Sequence, residues 1–361
     1  VAGSVRPALI RYFAFLREEV LPKARSQDRP GLKFVPGGID CYQQLIRVHT
    51  SLQRSPEEIH QIGLKESARI MGELVGLAEK VLGTADPREI LQRLRNDPAL
   101  HFKTRDEVAG KAEAALALAR DAIPEWFGIL PRAECGVTRM GRHEEAYSTI
   151  AYYRQPAVDG SRPGTYYINT SAPETRPRFQ AEALAYHEAI PGHHLQIAIA
   201  QEITDIPEFR KHTGVTAFVE GWALYSERLA DEMGLYSSDL DRIGMLSFEA
   251  WRASRLVVDT GMHAKGWSRE RAIRFLKENT ALAENNIVNE IDRYITWPGQ
   301  ALAYKMGQLE ILDLRREARH RMKDRFDIRK FHDVVLGNGA VSLGQLRRQV
   351  EDWVKENSAG S

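Results

Sequence analysis

The sequence predicts a mainly α protein of many helices, with one small antiparallel β-sheet placed before a histidine-rich helix. Three observations predict it. Apolar residues recur at three- and four-residue spacing along most of the chain. Only the stretch from Cys135 to Asn169 changes to short β-branched and aromatic runs. No internal repeat of solenoid length occurs. With 361 residues, 43% of them hydrophobic, the chain can fill a packed core. It reads as a single domain over 1–361, with a helical region over 1–130, the sheet over 135–170 and a second helical region over 178–357.

From Pro7 to Ala24 the apolar positions keep helical spacing, and GLKFVPGG, Gly31 to Gly38, breaks it with turn residues. Ser55 to Val81 is a helix announced by its own start: Ser55 caps it, Pro56 fills the first turn, and Glu57 and Glu58 follow. DPREILQRLRND (86–97) and TRDEVAGKAEAALALARDAIPEWFG (104–128) repeat that grammar. GVTRM, YSTIAYY and GTYYIN then read as two or three strands, the last two separated by the turn-rich QPAVDGSRPG. After TSAPETRPRF the helical pattern holds to the C-terminus, with breaks near Pro207, Gly234, Gly266, Trp297–Gly299 and Asn338–Gly339.

Lys plus Arg (50) nearly equals Asp plus Glu (49), and no block of like charge stands out. Neither nucleic acid nor an anionic membrane is the expected partner; a soluble substrate is. Two cysteines without a C-x-x-C, Cys41 and Cys135, argue against a disulfide framework or a cysteine zinc site and read as ordinary buried thiols. No stretch approaches the roughly 20 apolar residues of a membrane span. Val1 opens a polar, helix-like segment rather than a signal peptide, and a first residue other than Met suggests a processed or trimmed chain. The compartment is not legible.

Residues 187–194, HEAIPGHH, resemble the zinc signature H-E-x-x-H with residues inserted. The flanking FQAEALAYHEAI and HLQIAIAQEI are helical, and Pro191 and Gly192 fall between them, so the helix must kink, bulge or restart there. An unbroken helix would set His187 and His193 about 240° apart, and a local bulge could bring them together. His194 would point within about 20° of His187 but sit about 10 Å further along the axis. His193 is therefore the preferred second ligand and His194 its rival. A zinc site needs a third protein ligand. Glu220, in the apolar helix TAFVEGWALYSERLADEMG, is the candidate. In residues 242–267 Glu249, Arg252, Arg255, Asp259 and His263 share a stripe ~120° wide with Met245, Phe248 and Leu256, as a buried polar seam would. NEIDRYITWPGQALAYKMGQ places Arg293 and Tyr294 before a Pro-Gly break, and Gln300, Tyr304 and Gln308 on one face after it.

HEAIPGH, EGWALYSE, RASRLVVDTGMHAKGW, EIDRYITWPGQALAYKMG and FDIRKFHDVVL, taken in order, resemble the bacterial family known as domain of unknown function eight-eight-five, regarded as zinc metallopeptidases. The resemblance runs from about Pro7 to the last helix. It implies a gluzincin-like helical peptidase in which a small sheet flanks the metal helix. Its H-E-x-x-P-G-H pattern falls on His187, Glu188, Pro191, Gly192 and His193, and its E-G-W on Glu220, Gly221 and Trp222. Members are usually longer at the N-terminus, so the chain resembles their C-terminal catalytic portion, and the N-terminal portion is a candidate partner. Related peptidases bind an extended peptide along an edge strand; GTYYIN, with Tyr166 and Asn169, is the candidate here.

The expected function is zinc-dependent hydrolysis of peptide or amide bonds, with Zn2+ held by His187, His193 and Glu220 and with Glu188 as general base. Tyr304, Tyr294 or His263 would steady the oxyanion, and Arg252, Arg255 or Arg293 would bind a substrate carboxylate. The alternatives are a small-molecule amidase or esterase on the same metal, and a non-catalytic helical scaffold with a structural metal.

Overall fold

The structure, a computed structural model, describes residues 3–358. The helices are α1 (Val5–Phe15), α2 (Gly38–Thr50), α3 (Pro56–Leu82), α4 (Pro87–Asn96) and α5 (Arg105–Ala122) in the first region. Strand β1 (Cys135–Arg139), the one-turn α6 (Arg142–Glu145), β2 (Ala151–Arg154) and β3 (Gly164–Ile168) form the second. The third holds α7 (Ala181–Glu188), α8 (His193–Glu202), α9 (Glu208–His212), α10 (Thr216–Glu232), α11 (Asp239–His263), α12 (Arg269–Asn279), α13 (Glu284–Thr296), α14 (Ala303–Met322), α15 (Ile328–Leu336) and α16 (Leu343–Ser358).

Local chemistry sets the boundaries. Ser55 and Glu58 make a reciprocal capping box at the start of α3, whose C-cap Gly83 has φ +70°. Asp86, Thr104 and Ser238 cap α4, α5 and α11 through their side chains. The predicted breaks at Gly234, Gly266, Gly299 and Gly339 are left-handed residues that end or separate helices. No helix among the described residues is long and apolar enough to cross a membrane.

The expected antiparallel sheet is mixed. Its order is β1-β3-β2, with β3 parallel to β1 and antiparallel to β2. The cause is the segment after β1, which turns through α6 and carries β2 to the far side of the position that β3 later fills; a parallel neighbour needs such a long crossover. GTYYIN is therefore the central strand, and the free edges belong to β1 and β2. Cys135 is buried, but Cys41 is exposed, against expectation, on the outer face of α2.

One apolar core joins α5, the sheet, α7, α8, α10 and α14–α16 around Trp222, Phe127 and Phe331. A second joins α3, α4 and α11 around Ile70, Leu74 and Phe248. Where α3, α10, α11 and α14 meet, the fully buried Lys305 ammonium reaches Glu249 (2.7 Å), Gln308 (2.7 Å) and Glu66 (3.0 Å). Arg69 and Arg228 complete this cluster on Glu249. The three cations outweigh the effect of burial and hold the Glu249 carboxyl down at about 2.

Candidate functional site

The helix through HEAIPGHH breaks and restarts. α7 ends at Glu188, and α8 begins at His193. The gap is closed by backbone bonds from Ala189 N–H to Ala185 O and from His194 N–H to Ala189 O. Gly192 lies so close to the end of α7 that a Cβ would sit 2.0 Å from the His187 carbonyl oxygen, which is why a residue without a side chain stands there. The Pro191 carbonyl accepts from Trp222 Nε1 at 2.9 Å and from Ser226 Oγ at 3.2 Å, both on α10. The same helix carries Glu220. Gly221 and Gly307 let α10 and α14 touch backbone to backbone: a Cβ at Gly307 would meet the Ala217 carbonyl oxygen at 1.8 Å.

These pieces converge. One ligand-type atom from each of His187, His193 and Glu220 lies within 4.8 Å of the others. Glu220 Oε2 stands 3.6 Å from both His187 Nε2 and His193 Nε2. That is too long for a hydrogen bond. Two atoms bound at about 2.0–2.1 Å to one tetrahedral zinc lie about 3.4 Å apart, so the spacing and the two-nitrogen, one-oxygen donor set fit such an ion. Burial alone would lower the His187 pKa, but Glu220 and Glu227 outweigh it and raise it to about 9. Burial alone would raise the Glu220 carboxyl, and the two imidazoles bring it well below the usual carboxylate range. His194 points elsewhere, with Nδ1 against Tyr153 Oη at 2.8 Å and Nε2 against the Ala133 carbonyl at 3.0 Å.

A cleft of 460 Å³ opens over the cluster; Glu188, Arg252, Arg255, Arg293, Tyr304 and the edge strand β2 line it. A larger cavity of 610 Å³ adjoins it, sharing Ile150 and Leu184 as a wall. The larger space lacks the clustered donor set, so the smaller one is the candidate site.

Four expected site residues fall outside the cleft. His263 is buried with both ring nitrogens engaged, Nδ1 accepting from Leu32 N–H and Nε2 against the Tyr294 carbonyl. Tyr294 is buried behind Arg255; its hydroxyl accepts from Arg255 and Trp251 and donates to Glu290. Tyr166 and Asn169 line the adjoining cavity, and Asn169 donates to the carbonyls of Glu145 and Thr149. The edge strand beside the cluster is β2, not β3. Glu249 and Asp259 serve the interior, in the Lys305 cluster and under Tyr42 and Gly299.

Sequence reasoning misses two carboxylates of the site. Glu227 meets His187 Nδ1 at 2.7 Å, and Glu290 meets Arg255 Nη2 at 3.0 Å and Arg293 Nη2 at 3.2 Å. Their spacing signals them. Glu227 follows Glu220 by two helical turns on one face, and Glu290 lies one turn before Arg293 and Tyr294.

Residues 1–350 match the family profile described as "Bacterial protein of unknown function (DUF885)". No curated protein matches the chain. A solved "putative lipoprotein" from Colwellia psychrerythraea is similar with a TM-score of 0.92 and 38% identity, over 98% of this chain and 61% of that one. A "putative lipoprotein of unknown function" from Shewanella oneidensis gives a TM-score of 0.76 at 21% identity, over 95% and 63% of the two chains, and shows the fold alone. The chain thus spans less than two thirds of either protein.

Proposed function

The chain belongs to the bacterial DUF885 family, and from the cleft it carries we propose that it is a zinc-dependent hydrolase of peptide bonds. The observation that carries the reading is the convergence of His187, His193 and Glu220 within 4.8 Å, with Glu188 lining the same cleft. Two histidines from a broken H-E-x-x-P-G-H helix and a glutamate from a following helix form a gluzincin-like ligand set. Zinc held there would supply a Lewis acid that polarises a carbonyl and acidifies a water.

The remaining work falls to side chains. Glu188 follows a ligand directly, so it takes the proton of the attacking water and returns it to the leaving amine. Glu227 accepts a hydrogen bond from Nδ1–H of His187 and keeps Nε2 turned to the cleft. Tyr304, alone of the three expected oxyanion partners in lining the cleft, donates its phenol to the oxygen on which charge develops. The free edge of β2 offers backbone groups to an extended substrate.

Elemental analysis of the purified chain tests the metal. About one zinc per chain is expected, lost in His187→Ala, His193→Ala and Glu220→Ala and kept in His194→Ala. Glu188→Gln should keep zinc and lose peptide hydrolysis by a factor of ~10² or more. A folded, zinc-supplemented wild type without metal sinks the reading. Turnover of N-acyl amino acids or esters in place of peptides would make the chain an amidase or esterase, and bound zinc with no turnover would make it a scaffold.

A further inference from the structure

The side of the cleft away from the imidazoles is built from arginine, at a burial where positive charge is costly unless paired. Arg252 and Arg255 are only 5% and 3% exposed. Their planes are fixed by aromatic rings. The Arg252 guanidinium carbon lies 4.3 Å from the Trp251 centroid and 4.7 Å from that of Phe248; the Arg255 carbon lies 4.1 Å from Trp251 and 4.5 Å from Tyr304. Arg293, from α13, joins them in the lining.

The donors are not used up. Arg252 Nε, Arg255 Nη1 and Arg293 Nε are buried without a hydrogen-bond partner among the described residues. Arg252 has otherwise only a 3.5 Å contact to the Phe248 carbonyl and a 4.0 Å approach to Glu227, which is itself committed to His187. Among the described residues Glu290 is the one carboxylate bonded to Arg255 and Arg293. The same molecule treats the buried cation of Lys305, whose role is structural, quite differently and surrounds it with three partners. Three guanidinium groups thus share one bonded carboxylate, and the cleft gives a second anion access.

We propose that Arg252, Arg255 and Arg293 form a carboxylate-binding subsite, so that the chain takes peptides by a free carboxylate, the C-terminal one in the first place, and releases short C-terminal fragments. The fragment length rests on the peptidase reading; the subsite itself does not. Arg252, Arg255 and Arg293 line the same 460 Å³ cleft as His187, His193 and Glu220, so a carboxylate on this wall ends a peptide a short way beyond the bond at the imidazole cluster. Two planar forks suit a carboxylate better than a point charge would.

Calorimetric titration of the full chain carrying Glu188→Gln, with zinc and without it, tests the subsite. The probes are N-acetyl-Ala-Ala, its C-terminal amide, and N-acetyl-Ala-Glu amide as the side-chain acid. The C-terminal acid should bind on the order of 10- to 100-fold more tightly than the amide. Added Arg252→Gln or Arg293→Gln should erase most of that preference. If Arg252→Gln fails to melt cooperatively, the partly exposed Arg293 carries the test. Equal binding of acid and amide, or a preference that survives both substitutions, overturns the subsite; binding of the side-chain acid alone overturns the C-terminal assignment. Acid preference with no turnover by the zinc-loaded wild type would remove the peptidase and leave the subsite, and turnover without acid preference would do the reverse.

Discussion

His187 presents Nε2 to the cleft because Nδ1 is held by Glu227 at 2.7 Å, and Glu227 is almost wholly buried, so the imidazole has one orientation. An outer carboxylate of this kind typically contributes 10- to 100-fold to metal affinity. Glu227→Gln should therefore weaken zinc binding by about that factor while leaving the fold intact, read by competition with a chromogenic chelator; unchanged affinity would mean that the ring needs no such support. At this scale the residue types and their order in HEAIPGHH and EGWALYSE are enough to name the cluster. They are not enough for the neighbours. Tyr294 and His263 share a helix or a stripe with cleft residues, but their polar atoms are satisfied by Glu290, Arg255 and backbone groups, several of them far away in sequence.

Helix pairing positions Glu220. Gly221 on α10 faces Gly307 on α14 with no room for a side chain between them, so a Cβ at Gly307 must drive the helices apart. Gly307→Ala should cost about 1–3 kcal/mol in chemical denaturation and also lower zinc affinity, because the displaced helix carries Glu220, the proposed third ligand. A loss of stability without any change in affinity would show that Glu220 is positioned by the α7–α8 loop instead. The helices themselves are legible in sequence, since caps such as Ser55 and breaks such as Gly234 act locally. The sheet is legible as two or three strands between Cys135 and Asn169, but not as a topology. Nothing in GTYYIN says that it enters between β1 and β2, for that depends on where the segment through α6 carries the chain.

Across the whole molecule, buried histidines whose pKa is lowered contribute to the acid response. His332 is stacked on Phe127 at 4.6 Å and bonded to Tyr225 and the Trp126 carbonyl, and burial lowers its pKa to about 3. Burial likewise lowers His60 to about 4. Both groups titrate at 6.5 when unperturbed. Between that value and the lowered ones the unfolded chain binds the extra protons, so this contribution is complete above about pH 6.5 and is lost as the pH falls toward 4 and 3. Denaturation midpoints should accordingly decline from pH 7 to pH 5, at up to about 1.4 kcal/mol per pH unit for His332, and His332→Phe should be less stable overall but flatter over that window. An equally steep decline in the variant would assign the acid response to other groups.

The interruption between α7 and α8 has a consequence for how such sites are found. In H-E-x-x-H the pitch of the helix dictates the interval between ligands, so text and geometry are locked together. Here a turn built on Pro191 and Gly192 sets the interval, and the distance that matters is held by Trp222 and Ser226 from another helix. Vocabulary that counts one helical turn passes over this chain, whereas a search through space for two imidazole nitrogens and a carboxylate oxygen meets it at once.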